Sequence, residues 1–132
     1  MAPETALEAK VIKGFINSTK IERYLGFISN DKTRSKFTKD LSKAGIFQEG
    51  MFERINGDEV RAIKERIKDL GNTDDCYIIS ENSIIDSKRY NIETALNKAI
   101  SPWSDTGTLI VFGDAEVIYR EAEGMHNRWI SR

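Results

Sequence analysis

An α+β fold is predicted by a change of hydrophobic period midway along the chain. Up to residue 70 the apolar residues recur at helical spacing, and beyond it they gather in short runs separated by polar clusters and glycine. The expected architecture is a helical N-terminal half packed on a small, mostly antiparallel C-terminal sheet, in the order β-α-β-β-(β). Residues 1–132 are expected to form a single domain.

Each element has its own local reason. A first helix is expected after Pro3, which suits an opening helical turn, and it runs through Leu7, Val11 and Ile12 toward Gly14. A second starts near Ser18, a candidate N-cap, and carries Ile21, Tyr24, Leu25 and Ile28 on one face. Ser29-Asn30-Asp31 interrupts it. From Asp31 to Ala44 a third helix is predicted from Phe37, Leu41 and Ala44, with Gly45 placed to end it in the left-handed region. Asn56-Gly57-Asp58-Glu59 opens a fourth, whose stripe Val60, Ile63, Ile67 and Leu70 stops at Gly71. On this reading no strand precedes residue 71.

Cys76 to Ser80 is then a short apolar run, expected to be the central strand and to be covered on both faces. Asn91 caps a helix with Ile92, Ala95, Leu96, Ala99 and Ile100 inward, which Ser101-Pro102 ends. Thr108 to Phe112, the turn Gly113-Asp114 and Ala115 to Glu121 read as a hairpin with a two-residue type II′ turn. A last strand is expected within Arg128 to Ser131. The core is expected to include Ile63, Ile67, Ile78, Ile79, Leu96, Ile110 and Phe112.

The composition, 39% hydrophobic and 31% charged with two prolines, is that of a folded globular protein. Cys76 is the one cysteine, so an intrachain disulfide and a cysteine-rich metal site are both ruled out, and a reducing, cytoplasmic setting is expected. The N-terminus shows no basic segment followed by an apolar core, and no window approaches about 18 uncharged apolar residues, so neither secretion nor membrane spanning is expected. The net charge of −1 hides a division. Residues 1–70 hold 14 basic against 11 acidic side chains, and residues 71–132 hold 6 against 10. The helical half therefore suits an acidic partner and the sheet half a basic one, unless the halves simply attract each other.

The candidate functional residues fall into four groups. His126, the only histidine, lies beside Glu121, Glu123 and Arg128; imidazole with a carboxylate and a guanidinium could serve phosphodiester hydrolysis, although turn histidines are commonplace at surfaces. Glu81, Asp86, Asp114 and Glu116 stand at the ends of expected strands, where convergence at one sheet edge would favour Mg²⁺; turn and surface positions explain them equally, and no metal or cofactor is expected. Lys32, Lys36, Lys39 and Lys43 fall within roughly 60° of one another on the third helix, with Arg34 nearby, and such a stripe can follow a phosphate backbone. A solvated outer face looks the same, and with Phe37 on the opposite side no aromatic residue is interleaved with the lysines to stack bases. Trp103, outside any periodic pattern, and Trp129 are candidate interface anchors or core covers. The polar segment from Ser80 to Arg89 follows the expected central strand, where α/β sheets often bind ligands.

Phosphate-binding glycine loops, the nucleophile elbow and paired metal-binding histidines are all missing from the sequence. The reading that follows is a non-enzymatic binding or regulatory module acting through protein contacts, with an unspecified protein partner or a second copy of the chain. A nucleic-acid-binding protein using the lysine stripe is the first alternative. A small hydrolase or nuclease using His126, Arg128 and Glu121 or Glu81 is the second.

Overall fold

The computed structural model describes residues 3–43, 45–55, 59–68, 75–99, 107–121 and 128–131. Among them lie helices α1 (Thr5–Phe15), α2 (Ile21–Ile28), α3 (Asp31–Lys39), α4 (Glu59–Ile67) and α5 (Ile92–Ala99). The strands are β1 (Phe52–Arg54), β2 (Cys76–Ser80), β3 (Arg89–Tyr90), β4 (Thr108–Phe112), β5 (Val117–Glu121) and β6 (Arg128–Ser131). They form one antiparallel sheet in the order β1-β6-β5-β4-β2-β3, so the chain is the α+β fold its periodicity predicts.

The sheet divides the interior in two. Tyr77, Ile79, Leu109, Val111 and Ile118 point to one face, where they meet Val11, Ile12 and Phe15 of α1, Tyr24 of α2 and Phe37 of α3. Cys76, Ile78, Ile110, Phe112 and Tyr119 point to the other, against Ile63 and Ile67 of α4 and Ala95 and Leu96 of α5. Helices cover both faces, which is why β2 and β4 read as continuous apolar runs rather than as alternating strands. All seven residues expected in the core are at most 2% exposed. The fourth helix, grouped by sequence with the first three, lies across the sheet from them.

Several local expectations change. The third helix ends at Lys39, and Asp40–Ser42 is a 3₁₀ turn that leaves Lys43 in an extended conformation. Gly45 does adopt a left-handed φ of 85°, but it serves the turn before Ile46 and Phe47 and not a helix end. The cap at the start of the second helical segment is Asn17, not Ser18: its side chain accepts from the Thr19 amide. A strand does precede residue 71, because Phe52–Arg54 pairs with β6 at the sheet edge. Arg89–Tyr90 adds a two-residue strand beside β2, and the middle of the sheet is held by β4 and β5.

The hairpin pairs Phe112 with Val117, so its loop spans residues 113–116 and is twice the expected length. A slip of two residues preserves which side chains face which core, and the apolar pattern tolerates it for that reason. Gly113 and Ala115 both take positive φ there, 64° and 62°. Asn91 caps α5 as expected by accepting from the Thr94 amide at 2.8 Å. Among the described residues no helix is long and apolar enough to cross a membrane.

Candidate functional site

Two charged side chains sit on apolar stripes. Glu8 lies between Leu7 and Val11 on α1, at i−3, i−4 and i−7 to Val11, Ile12 and Phe15, and is fully buried. Arg34 has the same relation to Phe37, Thr38 and Leu41 and is 7% exposed. Burying either alone would be costly, and each stabilises the other. Arg34 Nε donates to Glu8 Oε1 at 3.0 Å and Nη2 to Oε2 at 2.7 Å, a two-pronged contact that matches guanidinium to carboxylate.

The same guanidinium reaches across to the loop after β2. Nη1 and Nη2 donate to the two carboxylate oxygens of Asp86 at 2.5 and 3.0 Å, and Asp86 also accepts from the Ser80 amide at 2.9 Å. Tyr77 Oη donates to Glu8 Oε2 at 2.6 Å and accepts from the Glu4 amide at 2.9 Å. Helices α1 and α3, strand β2 and the loop at residues 81–88 are thus fastened at one point. Burial alone would lower the pKa of Arg34, but the bonds to Asp86 and Glu8 outweigh it and raise it further. The guanidinium therefore stays charged with four of its five N–H donors engaged, so it acts as a clamp and offers no open fork to a ligand.

Beside this clamp lies a cleft of about 390 Å³ between α3 and the loop. Ser35 and Thr38 from α3 face Ser80, Glu81, Ser83 and Ser87 across it. Its chemistry is that of hydroxyls and carboxylates, suited to hydrogen-bonded contact with a polar group. The loop itself is tightly held. Asn82 accepts from the Ile84 amide through its side chain at 3.1 Å, its carbonyl takes the Ile85 and Asp86 amides, and the Ser87 amide returns to the Ile78 carbonyl at 2.8 Å. Ile85 is buried, whereas Ile84 next to it is 70% exposed. Ser87 takes a φ of 63°, a conformation that non-glycine residues adopt only when surrounding contacts impose it.

The sequence-derived candidates are distributed as follows. Glu81 is exposed at the cleft. Asp114 and Glu116 lie in the hairpin loop at the far end of β4, about 15 Å away by strand rise, so the expected carboxylates divide between the two ends of the sheet. Asp114 pairs with Lys10. Among the described residues no three of His, Cys, Asp and Glu gather closely enough to hold a metal ion. Arg128 stands 3.8 Å from buried Glu121. His126 and Trp103 lie outside the described residues. Trp129 is half-buried and covers Arg120, whose guanidinium is 4.3 Å from its ring centroid and 4.2 Å from that of Phe47. Desolvation lowers the pKa of Arg120, and Glu49 partly opposes the shift with two bonds at 3.2 Å. Arg34, grouped by sequence with the lysines, points inward. Lys32, Lys36, Lys39 and Lys43 are exposed.

Sequence reasoning located the loop but missed the clamp. The available signal was a pair of opposite charges, Glu8 and Arg34, each on the apolar stripe of its helix. Compared with protein-family models, curated proteins and solved structures, the chain matches none.

Two buried phenols predict behaviour in alkali. Burial and the bond to Asp40 push Tyr24 up to about 12, and burial and Glu8 also raise Tyr77. An unfolded tyrosine titrates near 10. Their contribution is therefore complete below about pH 10 and is lost as pH rises through the folded values. Stability measured by urea melts is expected to fall from about pH 10 upward, and Tyr24→Phe should flatten that fall. An unchanged slope in the variant would exclude Tyr24 as its source.

Proposed function

We propose that this chain is a cytosolic, non-enzymatic binding module that acts through protein contacts, docking its partner on the loop at residues 81–88 and the adjoining cleft. The observation that carries the reading is Ile84. Among the described residues it alone of the large hydrophobic side chains is exposed, at 70%. An isolated exposed isoleucine is ordinary, but this one is displayed on a loop fixed from both sides by Asn82, Ile85 and the Arg34–Asp86 contact. Lys88 Nζ adds a bond to the Ile84 carbonyl at 2.7 Å. A loop ordered in advance loses little entropy on binding, and this one carries an exposed apolar side chain together with Glu81, Ser83 and Ser87 of the cleft, the pairing of apolar anchor and polar groups that interfaces use. The cytosolic setting rests on the single cysteine, buried within β2.

The test is photocross-linking in the native host from a reactive residue placed at Ser83. One discrete protein adduct is expected, lost on Ile84→Asp while the melting temperature stays within about 2 °C. Adducts that survive Ile84→Asp, or no adduct at all, would overturn the assignment.

A further inference from the structure

Helix α2 supplies what the lysine stripe lacks in sequence. Phe27 is half-buried, with its ring set edge-on to Tyr24 at a centroid distance of 5.9 Å. Two cations stand over that ring: the guanidinium of Arg23 at 5.5 Å and the ammonium of Lys36, from α3, at 5.6 Å. Lys32 and Lys39 flank Lys36 on the same face of α3, and all three lysines are exposed. Among the described residues none of the three has an ion-pair partner, whereas Lys43 is held by Asp40 at 2.9 Å. Asp40 is further occupied by Tyr24 at 2.8 Å, so of the two acids that flank the stripe, Asp31 and Asp40, the second is already satisfied. Burial alone would raise its carboxyl pKa, but the bonds from Lys43 and Tyr24 prevail and hold it below the usual value.

We propose that the ridge of Arg23, Phe27, Lys32, Lys36 and Lys39 binds single-stranded nucleic acid, the cations following phosphates while the Phe27 ring takes an unpaired base. Cations on an aromatic ring, themselves exposed, are the two elements that sequence-independent single-strand binding combines. An acidic protein segment would use the charges and leave the ring without a role. A duplex offers no unstacked base to Phe27. The three lysines centre about 100° round α3 from the centre of Asp31, Ser35 and Thr38, which line the cleft, so this surface goes beyond the protein-contact reading and stands or falls separately.

The probe is fluorescence anisotropy of labelled oligo(dT) and oligo(U) with the full chain across a salt series. Binding that weakens with salt is expected, and the triple variant Lys32→Gln, Lys36→Gln, Lys39→Gln should make the log–log slope shallower by about 2, at roughly 0.7 per phosphate contact, with an unaltered melt. Phe27→Leu should weaken binding by about five- to a hundredfold without changing that slope, and Phe27→Tyr should restore it, which separates stacking from folding. No binding at low salt overturns the proposal. Binding that is indifferent to Phe27→Leu and displaced equally by polyglutamate also overturns it and assigns the ridge to an acidic protein.

Discussion

Replacing Arg34 with methionine is expected to remove about 3–5 kcal/mol of stability, the largest loss from any single exchange considered, because it leaves the Glu8 carboxyl fully buried and without its cation. Methionine fills most of the same space, so the loss reports the charge and not a cavity. Glu8 would retain only the Tyr77 hydroxyl at 2.6 Å. The loss should shrink when Glu8→Gln is added, since a neutral amide is far cheaper to bury. A double-mutant cycle in urea isolates the coupling between the two residues. Independent, additive effects of Arg34→Met and Glu8→Gln would mean that the clamp contributes no energy of its own.

Gly107→Ala is expected to cost about 3 kcal/mol, at the upper end of what overpacking does. The reason is room and not conformation. A Cβ on Gly107 would stand 2.5 Å from the Ser42 amide nitrogen and 2.7 Å from the Leu41 carbonyl carbon, both main-chain atoms that no rotamer change can move. Strand β4 has little freedom to retreat, for the Gly107 carbonyl accepts the Glu81 amide at 3.1 Å and the next residue, Thr108, pairs with both Ser80 and Glu121. A lowered urea midpoint with an unchanged m-value is the expected signature. A change under about 0.5 kcal/mol would show that the turn after α3 can yield.

How far these features were legible in the sequence depends on what fixes each of them. Helices α1, α4 and α5 were readable because a 3.6-residue apolar period is a local signal, as in Ile63 and Ile67. Strands β2 and β4 were readable as apolar runs. Strands β1 and β3, three and two residues long, exist because β6 and β2 offer them hydrogen-bond partners, and nothing inside Phe52–Arg54 or Arg89–Tyr90 announces that. The third helix was drawn too long since Leu41 kept the period after the backbone had tightened into a 3₁₀ turn. Phe27 escaped notice as a companion of the lysines because it belongs to another helix, and sequence spacing measures distance only within one. Gly107 carries no pattern at all; its neighbours, Leu41 and Ser42, lie some 65 residues away.

The pairing of β1 with β6 also sets a timetable for synthesis. Among the described residues strand β1 pairs with no strand but β6, and about 75 residues separate Arg54 from Arg128. At a translation rate of roughly 5–20 residues per second, the earlier strand waits about 4–15 s for its partner to leave the ribosome. Throughout that interval Phe52, only 4% exposed once folded, has no sheet to shelter it. An open edge of this kind recruits strands from neighbouring chains, and charged outward residues are a common defence. Glu53 and Arg54 supply that defence in the nascent chain until β6 arrives to pair with them.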